Sequence, residues 1–260
     1  AETLGLAGWA SGAVVSSYVL HPKFNYGQGF ENWDADFSQA SVPDGVTAWE
    51  GDQVEGKFYG RADDTTQRAI SSLKNFADKD RPFFLFVHYY DPHDPYQPPS
   101  EFAKRLPPLS DRAMDQTISR YDAELAFTDA EIGRLLETLD DLELSENTLV
   151  VVVGDHGEGL MTHGHMNHGV QIYEEAVRVP LLIRWPNRIP GEKVVAEPME
   201  IIDIAPTIAD LAGVAAVPQA YAGRSLASRL LGEERHIEER PIWLYRRTYQ
   251  GSMVSRTWAK

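Results

Sequence analysis

Three short runs in this chain are apolar at nearly every position: PFFLFV at 82–87, TLVVVV at 148–153 and VPLLI at 179–183. A strand with one face in water alternates apolar and polar residues, so an unbroken apolar run needs cover on both faces. Segments of helical period between the runs can supply that cover. ADDTTQRAISSLKNFADK, 62–79, has an acidic start and sets Ala69, Ile70, Leu73 and Phe76 on one face. RYDAELAFTDAEIGRLLETLDDL, 120–142, predicts a long helix with Leu125, Ile132, Leu135, Leu136 and Leu139 on its buried side. IIDIAPTIADLAG, 201–213, predicts a short one with Pro206 near its start and Gly213 past its end. Such alternation defines an α/β chain with a mostly parallel sheet flanked by helices.

The remainder fills in around this frame. WASGAVVSS, 9–17, reads as a further strand, and the Pro-rich DPHDPYQPPSEFAKRLPPLS, 91–110, as loop with little helix before Asp111. Residues 213–240 are rich in Ala, Gly and charge and read as surface. At one end AETLGLAG reads as a last helical turn stopped by Gly8, and at the other SMVSRTWAK alternates like a strand. Both ends read as structure rather than linker, as in a piece of a longer chain.

Charge and cysteine content narrow the function. The net charge of −15 over 260 residues argues against a nucleic-acid surface, which should be basic. With no cysteine there is no disulfide, no cysteine–zinc site and no cysteine nucleophile. No apolar run has the length of a membrane helix, and AETLGLAGWA lacks the basic start and apolar stretch of a signal peptide.

In a parallel α/β sheet the ligand crevice lies beyond the carboxyl ends of the strands. TLVVVV delivers Asp155 and His156 to that edge, with Gly154 at the turn, and FFLFVHYY delivers DPHDPY with His93. The sequence therefore predicts that Asp155, His156 and His93 converge. GDHGEGLMTHGHMNHG, 154–169, holds four of the chain's eight histidines. His163, His165 and His168 follow an H-x-H-x-x-H pattern that resembles the H-x-H-x-D-H of the dizinc metallo-β-lactamase family. Asn167 stands where that family has its Asp, and DHGEGLM separates the motif from its strand.

A second resemblance spans nearly the whole chain. PFFLFVHYYDPHDPYQPP, YDAELAFTDAEIGRLL, VVVVGDHGE, IYEEAVRVPLLIRWP, IIDIAPTIADLAG and AGRSL, in this order, resemble the sulfatase family of the alkaline phosphatase superfamily, and NYGQGFENWDADF resembles its G-F-D segment. The resemblance implies an alkaline-phosphatase-like core over 1–212 and the start of a small C-terminal antiparallel region over 213–260. It implies that Asp155 and His156 bind a divalent cation and that His93 contacts the sulfate ester. His168 falls where many relatives have a lysine on the sulfate, and a histidine is cationic over only part of the physiological range. By family precedent the cation is calcium, although an imidazole ligand suits manganese or zinc better.

The family's C-x-P-x-R or S-x-P-x-R, whose Cys or Ser becomes the formylglycine nucleophile, has no match here. Ser41-Val42-Pro43 begins like the serine version, but Gly45 stands at the Arg position, and Asp63-Asp64 reads as a helix cap. The formylglycine is accordingly expected in a segment outside this chain, which alone should not turn over sulfate esters. The complete enzyme is expected to hydrolyse a small-molecule or carbohydrate sulfate monoester, and family precedent favours a periplasmic or extracellular site. Alternatives are a phosphate or phosphonate ester hydrolase of the same superfamily, a dizinc hydrolase, and a non-catalytic protein that keeps the fold.

Overall fold

A computed structural model of the chain describes residues 1–36, 48–49, 52–53, 58–169, 171–214, 221–233, 240–247 and 256–259. The Ser41-Val42-Pro43 and Gly45 positions lie outside them. The chain divides into two units, Ala1–Ser145 and Glu146–Lys260.

The first unit runs α1 (Glu2–Leu6), β1 (Ala10–Val15), β2 (Asn32–Asp34), the antiparallel pair β3 (Ala48–Trp49) and β4 (Asp52–Gln53), α2 (Ala62–Ala77), β5 (Phe83–His88), α3 (Ser100–Arg105) and α4 (Ala113–Asp141). Its sheet has the order β2-β1-β5 and is parallel throughout, as the apolar runs predict. β1 is the centre and is buried at every residue. Helix α2 lies on it: a Cβ at Gly12 would press on the Phe76 ring, and Phe76 stacks on Phe83 at 5.4 Å. The expected face of α2 is the buried one, with Ala69, Ile70, Leu73 and Phe76 all in the core.

Three expectations in this unit need correction. β5 pairs on one edge only among the described residues, and Phe86 is 38% exposed, so the run is not fully buried. α3 forms inside the Pro-rich stretch, entered from Pro99 with Glu101 in its first turn and Lys104 and Arg105 in its last, charges that suit the helix dipole. The buried side of α4 is Ala123, Glu124, Phe127, Thr128 and Leu139, whereas Leu125 is exposed. That face follows the i, i+3, i+4 line from Glu124, about 100° from the line through Leu125. Leu139 is buried as expected; the departure is at Leu125, because the adjacent Glu124 carboxyl takes the buried position.

The second unit runs β6 (Val150–Val153), α5 (Glu174–Val177), β7 (Leu181–Arg184), α6 (Ile204–Leu211), α7 (Ala227–Leu230), β8 (Leu244–Arg247) and β9 (Arg256–Ala259). β6 pairs antiparallel with β7, and β8 antiparallel with β9. Neither β6 nor β7 is fully buried, and Leu182 is 61% exposed. Leu211, Ala227 and Leu230 form a core with Leu149, Ile183 and Trp185 packed against it. The stretch expected at the surface thus contributes α7, with Leu226 and Leu230 buried. Asp203 precedes α6 without a side-chain cap bond to it; its carboxylate instead accepts the Glu200 N–H in a reciprocal capping box on the short turn Ile201–Asp203, and also the Arg224 N–H and the Arg240 guanidinium. Among the described residues no helix is long and apolar enough to cross a membrane.

Candidate active site

In the first unit the carboxyl end of β5 runs into the segment 91–97, which carries His93. Aromatic stacking fixes the base of this loop: Tyr90 lies on Tyr59 at 4.3 Å, and the His93 ring lies on Tyr90 at 4.4 Å. His93 Nδ1 is 2.8 Å from Asp94 O. A carbonyl can only accept, so Nδ1 carries a proton.

Asp63 and Asp64 sit in the first turn of α2 as expected, and Asp63 Oδ1 accepts the Asp64 N–H at 3.0 Å, whereas the N-cap position, Arg61, makes no side-chain cap bond. The first N–H of the helix, at Ala62, donates to Asp91 Oδ2 at 2.6 Å, so a further cap comes from the His93 loop. Asp64 pairs with Arg68, which also reaches Asp34 and Val15 O. At the far end of the loop the Gln97 N–H donates to Glu124 Oε1 from α4. Burial pushes the Glu124 carboxyl up to about 8 and the nearby Asp91 charge pushes in the same direction, against the Gln97 bond and Arg61. Burial likewise raises Asp91 to about 6. Glu124 and Asp91 were not among the expected site residues.

In the second unit the strand end delivers Asp155 and His156, as the sequence predicts. Asp155 is open to solvent, 80% exposed in its side chain, and its Oδ1 accepts the His156 N–H at 2.9 Å. Its Oδ2 is 3.6 Å from His156 Nε2. His156 Nδ1 donates to Gly157 O at 2.9 Å, which leaves the Nε2 lone pair on the Asp155 side. A metal-binding histidine has this arrangement, with one nitrogen held by a carbonyl and the other toward the ion.

The chain then folds back. The Gly157 N–H donates to Ala176 O, the Leu160 N–H to Met166 O and the Met161 N–H to His165 O, each at 2.9 Å. The glycines of D-H-G-E-G are steric requirements of that fold-back. A Cβ on Gly157 would collide with Glu175 O, and one on Gly159 with His165 O. The return brings His168 onto His156, ring on ring at 3.7 Å, with His168 Nδ1 3.2 Å from the buried Glu158.

The three histidines of the H-x-H-x-x-H pattern separate. His163 stacks on Tyr173 at 4.2 Å and bonds Glu175 at 2.7 Å, His165 lies 6.0 Å from the same Tyr173 ring, and only His168 meets His156. The His163 bond holds the Glu175 carboxyl below its usual range. Glu174 bonds Arg178 at 2.8 Å.

The chain belongs to the sulfatase family: the model described as Sulfatase matches residues 6–214. It is 33% identical over 208 residues to the steryl-sulfatase of Rattus norvegicus, covering 74% of this chain and 34% of the relative. It is 28% identical over 222 residues to the iduronate 2-sulfatase of Homo sapiens, covering 60% and 40%. The chain thus spans about a third to two fifths of the length of these relatives. Among solved structures, one in complex with its substrate D-glucosamine-2-N,6-O-disulfate has a TM-score of 0.74 at 23% identity, covering 98% of this chain and 69% of that one. The phosphonate monoester hydrolase of Silicibacter pomeroyi has a TM-score of 0.71 at 20% identity, covering 97% and 65%. These likenesses establish the alkaline-phosphatase-like fold, with its parallel sheet, flanking helices and small antiparallel sheet.

Proposed function

We propose that the full-length protein is a sulfuric ester hydrolase that acts on a sulfated carbohydrate or small molecule, and that this chain supplies its cation- and sulfate-binding side. The observation that carries the reading is the Asp155–His156 pair, two donors 3.6 Å apart with the imidazole already oriented by Gly157 O. Family membership supports it. The substrate class rests on relatives named endo-4-O-sulfatase and iduronate 2-sulfatase.

Two donors fall short of a complete shell for a divalent cation. The remaining ligands, and the formylglycine used by the family, are assigned to parts of the full-length protein outside residues 1–260. Calcium is the family's precedent. When bound, the cation supplies Lewis-acid stabilisation of charge on the ester oxygens.

The chain's own groups do the rest. His168, held through Nδ1 by Glu158, presents its ring beside the cation pair and donates to a nonbridging sulfate oxygen. His93, with Nδ1 on Asp94 O, turns its other edge to the ester. Protonation of the leaving alkoxide by one of these imidazoles lowers the barrier at the ester oxygen.

Sulfate release from an aryl sulfate, compared with turnover of the matching aryl phosphonate monoester, tests the reading. The full-length protein should show the higher kcat/KM on the sulfate. A preference for the phosphonate would move it to the neighbouring hydrolase class.

A further inference from the structure

The loop that carries His93 is tied at each end by a carboxyl group, half-buried at Asp91 and buried at Glu124. At the start, Asp91 accepts the first N–H of α2 at Ala62. At the end, Glu124 reaches from the buried face of α4 and accepts the Gln97 N–H. Thr128, one turn along α4, donates to Glu124 O at 2.9 Å and contacts Asp91 O at 3.4 Å, so one helical face meets both tie points. Between the ties, His93 lies on Tyr90 and Tyr90 on Tyr59.

A glutamate that is only 2% exposed in the middle of a helix is costly and needs a compensating contact. The helix could carry an apolar residue there without loss to its own packing. The compensation lies outside the helix, at the Gln97 N–H, which takes Glu124 Oε1 as its acceptor. Glu124 Oε2 has no hydrogen-bond partner among the described residues. A neutral acid suits this position, with its proton on Oε2 and Oε1 left to accept. The raised carboxyl of Glu124 agrees: burial is the main cause, the Asp91 and Asp94 charges add to it, and the Gln97 bond and Arg61 oppose it. Arg61 lies over the Phe127 ring of α4 and pairs with Asp63, so its charge sits beside the cluster without neutralising Glu124 directly.

We propose that Glu124 and Asp91 are positioning residues for His93: a pair of carboxyl groups that pin the 91–97 loop between the start of α2 and the inner face of α4. The role rests on the reading that His93 contacts the ester. An imidazole displaced by about 1 Å costs up to about 100-fold in rate, so a pinned loop is a catalytic requirement without any direct contact.

The test uses the full-length protein with Glu124→Met, which keeps the volume and removes the acceptor, and Glu124→Gln, which keeps the acceptor. Asp91→Ala is the parallel variant at the other tie. Each is made alone and with His93→Ala, and is read by kcat/KM on a sulfate ester, metal content, and amide hydrogen exchange in peptides over 91–99. Glu124→Met should lower kcat/KM about 10-fold, speed exchange over 91–99 and leave metal content unchanged. Glu124→Gln should restore both. In the His93→Ala background Glu124→Met should add less than about 2-fold, because the two act through one group.

A full additive loss in that background, unchanged exchange over 91–99, or a Gln variant as defective as Met would overturn the proposal. If Glu124→Met does not fold, Asp91→Ala is read by the same three criteria. Wild-type turnover in His93→Ala would instead refute the role of His93. The exchange data would still report on the clamp, so the two failures are distinguishable.

Discussion

The loop at 91–97 is held by side chains from elsewhere in its unit, through Asp91 on Ala62 and Glu124 on Gln97. The loop at 154–169 is held by its own backbone, through Gly157 to Ala176, Leu160 to Met166 and Met161 to His165. The first places a single imidazole and uses two carboxyls, whose hold depends on protonation and on the position of the acceptor. The second places a carboxylate and two imidazoles and uses glycines, whose hold depends on space. Loss of an acceptor should therefore loosen the first loop, and an added methyl should break the second.

The largest effect is expected in the second loop. Gly157→Ala puts a Cβ against Glu175 O, a backbone atom that cannot swing aside. Overpacking of this kind costs about 3 kcal/mol, and it lowers the melting temperature. Calorimetry of the full-length protein measures it. The chemically similar Gly133→Ala, in open space on α4, should be neutral or slightly stabilising. Equal melting temperatures for the two variants would remove the steric account of D-H-G-E-G.

The next effect is specific to the first loop. Glu124 holds its proton more tightly folded, near 8, than at its ordinary 4.5. The folded state therefore binds more protons than the unfolded one between these values. The contribution of Glu124 to stability is complete below about 4.5 and is lost as pH rises through about 8. Urea midpoints of the full-length protein between pH 5 and 9 should fall more steeply in wild type than in Glu124→Gln, which does not titrate. Parallel curves would mean that Glu124 is ionised throughout.

What the sequence made legible divides along the same line. Asp155 and His156 could be read because an apolar strand ends at Val153 and the next polar side chains stand at its carboxyl edge. The glycines could be read as turns but not as contacts, since their neighbours, Glu175 and His165, are set by the fold-back. Glu124 was hidden: periodicity assigns a charged helix residue to solvent, and Leu125 beside it supplied the apolar residue the pattern sought. Only the backbone N–H of Gln97, distant in sequence, explains the carboxyl. Strand direction was hidden too, because VVVV and LLIR are equally apolar whether they pair parallel or, as found, antiparallel. The H-x-H-x-x-H spacing suggested a shared metal, but the turn at Gly164 sends His163 and His165 to Tyr173 and His168 to His156.

The smallest effect follows from that separation. His165→Ala removes a ring 6.0 Å from Tyr173 and no partner of Asp155 or His156. It should change stability by less than about 0.5 kcal/mol and leave metal content and turnover at wild-type levels. Metal lost on His165→Ala would restore the dizinc reading.

The central claim is that Asp155 binds the cation while His93 binds the ester. Metal analysis of purified full-length wild type, Asp155→Ala and His93→Ala, alongside sulfate release by each, tests it most directly. The account predicts a split: Asp155→Ala loses the bound metal and at least about 100-fold in kcat/KM, as expected for loss of a metal-site interaction, whereas His93→Ala loses turnover with its metal intact. Metal retained in Asp155→Ala, or metal lost in His93→Ala, would contradict it.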